Sequence, residues 1–568
     1  MRESKTEPSV QPPEAGGSSR SRLSRVAGPD YCYLAALLSG LLLGLSTPPY
    51  DFWPLSVVAL VPLLASIRRL RRLRPALIAG WLAGTVFFLF NLHPLLSAHL
   101  WSGWATGDSA EFALRASRQF VVLSFLWLFL SLWGGMFWGI FAAITSYVSR
   151  DSLARMAVIA PAAFVSVAEW LRSVTSWDYA WGFLGNSLVE LDGLRQMASA
   201  GGVWLLTIVA VLANIAVLGL VLGIRRPRRA LASATPLVLL LALNAALTPS
   251  GESTGKEQGT KIRVAALQYS QDRYGFNDYM GVGLERAYLE LVRQLATGRM
   301  GAIDLLVLPE SIAYTIASLD GTRVDGIPQQ VQTDLERWTG LIENVMAWSD
   351  DRMAVVAGLE TAENSHLHNS MVFWQPEEYP DWYHKQKLVP FAEYQPWPLR
   401  FFELSGSAFQ RGTESKIVAV HGVPMGAFIC QEVLMPGVAR QSTLAGAQVL
   451  LSGGNDGVFA DTAVARIHAK HARLRAVETG RFVVRAMKTG VSAIISPTGN
   501  IVDQSRASEP EAISGVVEAR EALTPFVRWG NWPTALSLIV VLLSIVATSF
   551  PRIRGIGKHS GLSRRLSN

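Results

Sequence analysis

Met425-Gly426-Ala427-Phe428-Ile429-Cys430-Gln431-Glu432 is an apolar run that stops at a thiol and turns polar. It reads as a buried strand that delivers Cys430 to its own end, where the backbone bends and a side chain can meet a substrate. The chain has 2 cysteines, the other being Cys32 far upstream. A disulfide framework and a four-ligand zinc site are therefore disfavoured. A lone cysteine serves as a small buried hydrophobe as readily as a nucleophile. The decision rests on what else the chain brings to the ends of such strands.

Two other stretches do the same. Leu305-Leu306-Val307-Leu308-Pro309-Glu310-Ser311 carries a carboxylate out of an apolar strand. Trp382-Tyr383-His384-Lys385-Gln386-Lys387-Leu388-Val389-Pro390-Phe391-Ala392-Glu393-Tyr394 carries a lysine and then a second glutamate, while Glu432 follows Cys430. A thiol needs a base or a cation before it attacks, and a developing oxyanion needs a fixed positive donor. Short β-rich runs recur at Ile262–Gln268, Asp304–Leu308, Met353–Leu359, Asn369–Trp374, Lys416–Val420, Met425–Ile429, Val449–Ser452, Phe482–Met487 and Ser492–Ser496. Leu284–Thr297, Val331–Trp348 and Thr462–Thr479 have helical spacing. Residues 262–531 are thus expected to form one α/β domain, joined by a polar linker, 250–261, to what precedes it.

The rest of the chain is too apolar for a soluble enzyme. Of 568 residues, 50% are hydrophobic and 17% charged, with 18 Trp and a mean hydropathy of +0.26. Apolar spans fall at Tyr31–Tyr50, Phe52–Ile67, Ala76–Leu92, Phe120–Val148, Met156–Ala168, Met197–Ile224, Ala230–Pro249 and Trp532–Phe550. This predicts a seven-helix bundle over 31–249 and a last membrane helix over 532–550. Residues 1–30 read as a disordered tail and 551–568 as a basic one.

The net charge of +7 does not indicate nucleic acid, because the arginines cluster in short runs beside the apolar spans. Arg68, Arg69, Arg71, Arg72 and Arg74, then Arg150 and Arg155, then Arg225, Arg226, Arg228 and Arg229 fall on the side of the N-terminus if every span crosses. Basic loops stay in the cytoplasm, so both termini are expected there and 262–531 outside it. Trp101, Trp104, Trp177, Tyr179 and Trp181, in the outward loops, suit interfacial anchoring.

Glu310, Lys385 and Cys430, in that order and in those settings, resemble the nitrilase, or carbon–nitrogen hydrolase, superfamily. The wider chain is similar to the apolipoprotein N-acyltransferase family. Ala168-Glu169-Trp170-Leu171-Arg172, Asn455-Asp456 and Arg475-Ala476-x-Glu478-x-Gly480-Arg481 also resemble that family. The resemblance implies a polytopic membrane bundle of about eight helices carrying an α-β-β-α sandwich, set in a bacterial inner membrane with the sandwich on the periplasmic side. It implies Glu310 as general base, Lys385 rather than Lys387 as the oxyanion cation, and Cys430 as nucleophile. Glu393 and Glu432 would be supporting acids, and the backbone N–H of Gln431 a second oxyanion donor. The implied partners are a membrane phospholipid as acyl donor and a diacylglyceryl-modified apolipoprotein as acceptor. The route passes through a Cys430 thioester and calls for no metal or organic cofactor. A membrane-anchored amidase and a non-catalytic lipid-binding relative are the other readings.

Some positions depart from the family pattern. Gln431 stands where Tyr is common, Val458 where Trp is common, and Gln268-Tyr269-Ser270 where Gln-Gly-Asn is common, with Tyr274 or Phe276 as a stand-in for a nearby Trp. These positions are expected to border the acyl or acceptor pocket. His468 and His471 lack a third partner for a metal, and Gly453–Gly457 lacks the lysine of a phosphate loop.

Overall fold

The computed structural model describes residues 29–48, 50–70, 72–98, 109–149, 156–175, 180–224, 227–248, 259–268, 303–312, 316–325, 329, 332–347, 353–395, 409–459, 463–506 and 509–559. Trp101, Trp104, Trp177, Tyr179, Tyr269, Ser270, Tyr274, Phe276, Arg71, Arg150, Arg155, Arg225, Arg226 and the helix expected at 284–297 lie outside them, as do 1–28 and 560–568.

The α/β part is two stacked sheets. The first holds β1 (Lys261–Gln268), β2 (Leu305–Val307), β3 (Ile316–Ser318), β4 (Gln332–Asp334), β5 (Ala354–Glu363), β6 (His366–Trp374), β7 (Asp381–His384) and β14 (Glu511–Glu518), in the order β14-β1-β2-β5-β3-β4 with β6 and β7 continuing from β5. The second runs β13-β12-β11-β10-β9-β8, from Ile417–Val420 (β8), Val423–Ile429 (β9), Val449–Gly454 (β10), Phe482–Met487 (β11), Ala493–Ile495 (β12) and Ile501–Gln504 (β13). Alternation along the strands divides the core into layers. Val264, Val356 and Met371 face Met425, Ala427 and Leu451 between the sheets. Their odd-register neighbours Ala265, Val355 and Val372 pack outward against the helix Leu335–Met346. On the other side Phe428, Leu450 and Val483 pack against Pro436–Leu444, Ala463–Thr479 and the apolar bundle.

The strand readings hold to within a few residues, whereas the helix expected to begin at Val331 is β4 until Asp334 and helical only from Leu335. The three-residue β3 and β4 are too short to show a period.

The apolar helices are α1 (Pro29–Ser46), α2 (Val61–Leu70), α3 (Leu73–Asn91), α4 (Ser109–Val148), α5 (Met156–Ser173), α6 (Ala198–Gly223) and α7 (Pro227–Leu247), and after the sheets Trp532–His559. Among the described residues, five stretches are long and apolar enough to cross a membrane: Trp53–Leu70, Leu73–Asn91, Phe120–Val148, Ala198–Gly223 and Trp532–Ser549. The span expected at Phe52–Ile67 is not one straight helix. Pro54 starts a 3-10 turn over Trp53–Val57 and Pro62 restarts the chain as α2, since proline suits only the first turn of a helix.

Bundle and sheets are joined through polar contacts. Gly202 leaves the helical region inside α6 at φ 67°, and a Cβ there would meet Phe526 at 2.6 Å. The N–H of Val203 donates instead to Glu478 Oε1 at 2.9 Å. Glu478 is paired with Arg475 at 2.8 Å, and both are fully buried. Lys470 reaches Asp51 at 2.7 Å and Glu190 at 3.0 Å, and His471 Nε2 meets Asn186 Nδ2 at 2.8 Å. Glu169 accepts from Thr207 Oγ1 at 2.6 Å and the N–H of Leu184 at 2.7 Å, while Arg172 donates to the carbonyls of Trp181 and Gly182. The two sequence motifs around Glu169 and Glu478 therefore fasten backbone that would otherwise be left unpaired.

Candidate active site

Parallel strands end together, so the residues that follow them meet at one edge. Glu310 follows β2, Cys430 follows β9, and Asn455-Asp456 follow β10. Lys385 comes from the opposite direction, at the end of antiparallel β7.

Cys430 sits at φ 52° where β9 breaks into a 3-10 turn. A non-glycine residue there is held at a cost of about 1–3 kcal/mol, a common price at sites that aim a side chain. Glu432 supplies much of what holds it. Its Oε2 accepts from the N–H of Ile429 at 2.7 Å, and its Oε1 accepts from the N–H groups of Gln386 at 2.7 Å and Lys387 at 2.9 Å. Tyr383 Oη donates to both oxygens at 3.1 and 3.0 Å. One carboxylate thus ties the cysteine elbow to the lysine loop without touching the lysine ammonium. Gln431 adds a bond from Nε2 to the carbonyl of Lys387 at 3.3 Å.

Lys385 is 1% exposed, and Nζ lies 2.8 Å from Glu393 Oε1 and 3.5 Å from Glu310 Oε1. Burial opposes its charge. The carboxylates of Glu393 and Glu310, with Cys430, outweigh that and hold it well above the ordinary lysine range. Glu393 is itself fixed by the N–H of Val389 at 2.7 Å. Burial and then the Glu310 carboxylate push the Cys430 thiol well above its usual range, with Lys385 opposing. The cysteine therefore rests as a thiol, and attack requires that its proton be taken as the bond forms.

The strand patterns did not reveal Asn369. This buried amide on β6 donates from Nδ2 to Glu310 Oε1 at 2.6 Å and Glu393 Oε1 at 2.9 Å, spacing the two carboxylates. It stands in the polar half of β6, between His368 and Ser370 and ahead of the apolar run Met371–Trp374, so hydropathy does not single it out. Gly358 was missed too: a Cβ there would lie 2.4 Å from Glu310 Cα, so the turn that carries Glu310 lies directly on β5.

Asp456 is bonded to His468 Nδ1 at 2.7 Å and Arg485 at 3.5 Å. Glu363, His368 and His384 gather donors within 4.8 Å. There His384 Nε2 bonds Glu363 at 3.0 Å and Nδ1 meets Ser370 Oγ at 2.7 Å, and the two imidazoles stack at 4.0 Å and 20°. Stacked rings aim their lone pairs side by side rather than at one point, a poor fit to the tetrahedral geometry of zinc.

The site closes on the bundle. Phe391, in the loop between Lys385 and Glu393, packs with Val122 and Leu126 of α4. Phe120, Val121, Phe125 and Leu128 of the same helix are exposed.

Residues 263–520 match the carbon-nitrogen hydrolase family model, and 39–216 match the model of the apolipoprotein N-acyltransferase N-terminal domain. An apolipoprotein N-acyltransferase of Azotobacter vinelandii is 29% identical over 528 residues, covering 90% of this chain and 93% of that protein. One from Pseudomonas putida is 29% identical over 531 residues, covering 90% and 95%. One from Mycolicibacterium smegmatis is 30% identical over 313 residues, covering 52% and 50%. With both models matched in the same order, and relatives aligned through bundle and sheets alike, this chain belongs to the apolipoprotein N-acyltransferase family.

Proposed function

We propose that the protein moves an acyl chain from a membrane phospholipid to the α-amine of the N-terminal diacylglyceryl-cysteine of apolipoproteins, the last step of lipoprotein maturation. Cys430 Sγ attacks the ester carbonyl carbon while Glu310 takes the thiol proton. The oxyanion is held by Lys385 and the N–H of Gln431. The C–O bond breaks, Glu310 protonates the departing lysophospholipid, and a thioester remains. The amine nitrogen then attacks the thioester while Glu310 takes a proton from it, the C–S bond breaks, and Glu310 passes that proton to sulfur.

The observation that carries this reading is the junction of the site with apolar helices. The lysine loop rests through Phe391 on Val122 and Leu126 of α4, whose neighbouring Phe120, Val121, Phe125 and Leu128 are exposed, which supports an approach of a bilayer ester from that side. In this reading seven helices over 31–249 and an eighth over 532–550 cross a bacterial inner membrane. Both termini are cytoplasmic, 250–261 is a linker, and 262–531 form the periplasmic catalytic domain. The basic residues beside α2 and α3, among them Arg68, Arg69, Arg72 and Arg74, support that orientation.

Intact mass after incubation with a phospholipid of defined chains tests the first half-reaction. The expected result is an added mass of one acyl group, removed by hydroxylamine and absent from Cys430→Ser. Hydrolysis of small amides with no such adduct would overturn the reading.

A further inference from the structure

Two charged side chains stand beside the site and take no part in the chemistry above. Glu360 of β5 is directly opposite Asn369 of β6 in the antiparallel ladder, so both side chains leave the sheet on one face. Asn369 is the amide that spaces Glu310 from Glu393. Glu360 also stands two residues beyond Gly358, against which Glu310 packs, and the strand period places both on that face. Lys488 arrives from the other sheet, just after β11. Its N–H donates to the carbonyl of Gly454 at 2.9 Å and its Nζ to the carbonyl of Ser311 at 3.0 Å, which lays the ammonium against the turn that carries Glu310.

Glu360 is half-buried and Lys488 is buried. Burial, then Glu310 and Glu393, push the Glu360 carboxyl up to about 7, with Lys488 opposing. Burial draws Lys488 down to about 8 against the pull of Glu310 and Glu360. The charged groups that act on the pair from the elements packed against it are Glu310 and Glu393.

The second half-reaction needs a group of this kind. An α-amine has an ordinary pKa of about 7.7–8.0, so near neutrality much of the acceptor arrives as an ammonium without a lone pair. Two protons must leave its nitrogen, one before attack and one after. Glu310 carries the second to the sulfur. We propose that Glu360 takes the first, so that Glu360 is the site at which a primary ammonium acceptor is received and made nucleophilic. The proposal rests on the transferase reading above. Glu360 carboxylate and R–NH3+ become Glu360 carboxylic acid and R–NH2. The amine attacks the thioester carbonyl, the C–S bond breaks, the remaining proton passes through Glu310 to Cys430, and Glu360 releases its proton to water.

The test separates the half-reactions on the full chain in detergent. Acyl-enzyme is formed from phospholipid and then mixed with a diacylglyceryl-cysteine peptide, or with hydroxylamine, which is largely neutral at pH 7. An α-amine of that pKa is about 10–17% neutral at pH 7, so Glu360→Gln should consume the thioester about six- to tenfold more slowly with peptide at pH 7. The gap should shrink severalfold at pH 9, where the peptide amine is already neutral, and should be small with hydroxylamine at both. Lys488→Met removes a cation that favours the carboxylate, so the pH at which peptide transfer is half-maximal should move upward. An equal loss with both nucleophiles at both pH values would assign Glu360 a structural role and overturn the proposal, as would no loss at all. A wild-type thioester that never passes to the peptide refutes the transferase reading itself, and is read without any variant.

Discussion

Replacing Glu432 by Gln keeps the size of the side chain and removes one acceptor. The carboxylate takes three backbone N–H groups and the Tyr383 hydroxyl, with Gln386 and Lys387 on one oxygen and Ile429 on the other. The amide will place its oxygen toward Gln386 and Lys387, because the reverse orientation sets its NH2 against two donors instead of one. Tyr383 can turn its hydroxyl to suit. The N–H of Ile429, in a residue that is 0% exposed, is left facing a donor. Loss of a charge-assisted bond that leaves a buried donor unpaired costs about 2–3 kcal/mol. That bond is next to the positive-φ turn at Cys430, whose own strain is of similar size, about 1–3 kcal/mol. The elbow should therefore relax while the fold survives. Misplacing a nucleophile by about 1 Å costs roughly 10²-fold in rate. The assay is the rate of thioester formation with phospholipid by quenched intact mass, beside alkylation of Cys430 by iodoacetamide. Acylation should fall about 100-fold while alkylation persists within about tenfold. Acylation at the wild-type rate would refute the claim that Glu432 holds the elbow.

The direction of the Cys430 shift makes a second prediction. The Glu310 anion raises the thiol and the Lys385 cation lowers it, so the pH midpoint for iodoacetamide alkylation should move down in Glu310→Gln and up in Lys385→Met. Both variants should still lose acylation by at least about 10²-fold, which separates a proton-taking role for Glu310 from thiolate stabilisation. Gly358→Ala places a Cβ 2.4 Å from Glu310 Cα; overpacking should cost about 1–3 kcal/mol in denaturant unfolding and displace the base. Glu478→Gln weakens the partner of fully buried Arg475 and of the Val203 N–H. Breaking such a pair costs about 3–5 kcal/mol, so limited proteolysis between bundle and sheets should accelerate.

The strand that carries Cys430 was readable because Val423–Ile429 is apolar on both faces and ends abruptly in polar residues, as a strand buried between two layers must. Glu310 was readable for the same reason, at the end of Leu305–Val307, whereas Lys385 follows a strand of mixed polarity, Asp381–His384, and was singled out by its spacing to Glu393 in the family motif. What was not readable depends on chain segments far apart in sequence. Asn369 acts only because β6 pairs with β5 and sets its amide beside residues 59 and 24 positions away. Glu360 and Lys488 each interrupt an apolar strand or its end, a visible anomaly, yet only the stacking of the two sheets brings them to Glu310. Gly358 has no sequence signal beyond being small. In the bundle, Pro54 and Pro62 mark the break that hydropathy alone overlooked. Trp181 packs partly buried beside His468, and its carbonyl accepts from Arg172.

The central claim is that the Cys430 acyl group goes to an amine and not to water. The direct measurement is the product ratio when phospholipid and a diacylglyceryl-cysteine peptide are supplied together, with N-acylated peptide and free fatty acid quantified by mass spectrometry. The account predicts N-acylated peptide as the main product, lost in Cys430→Ser. Free fatty acid as the main product, formed at the same rate with or without the peptide, would contradict it.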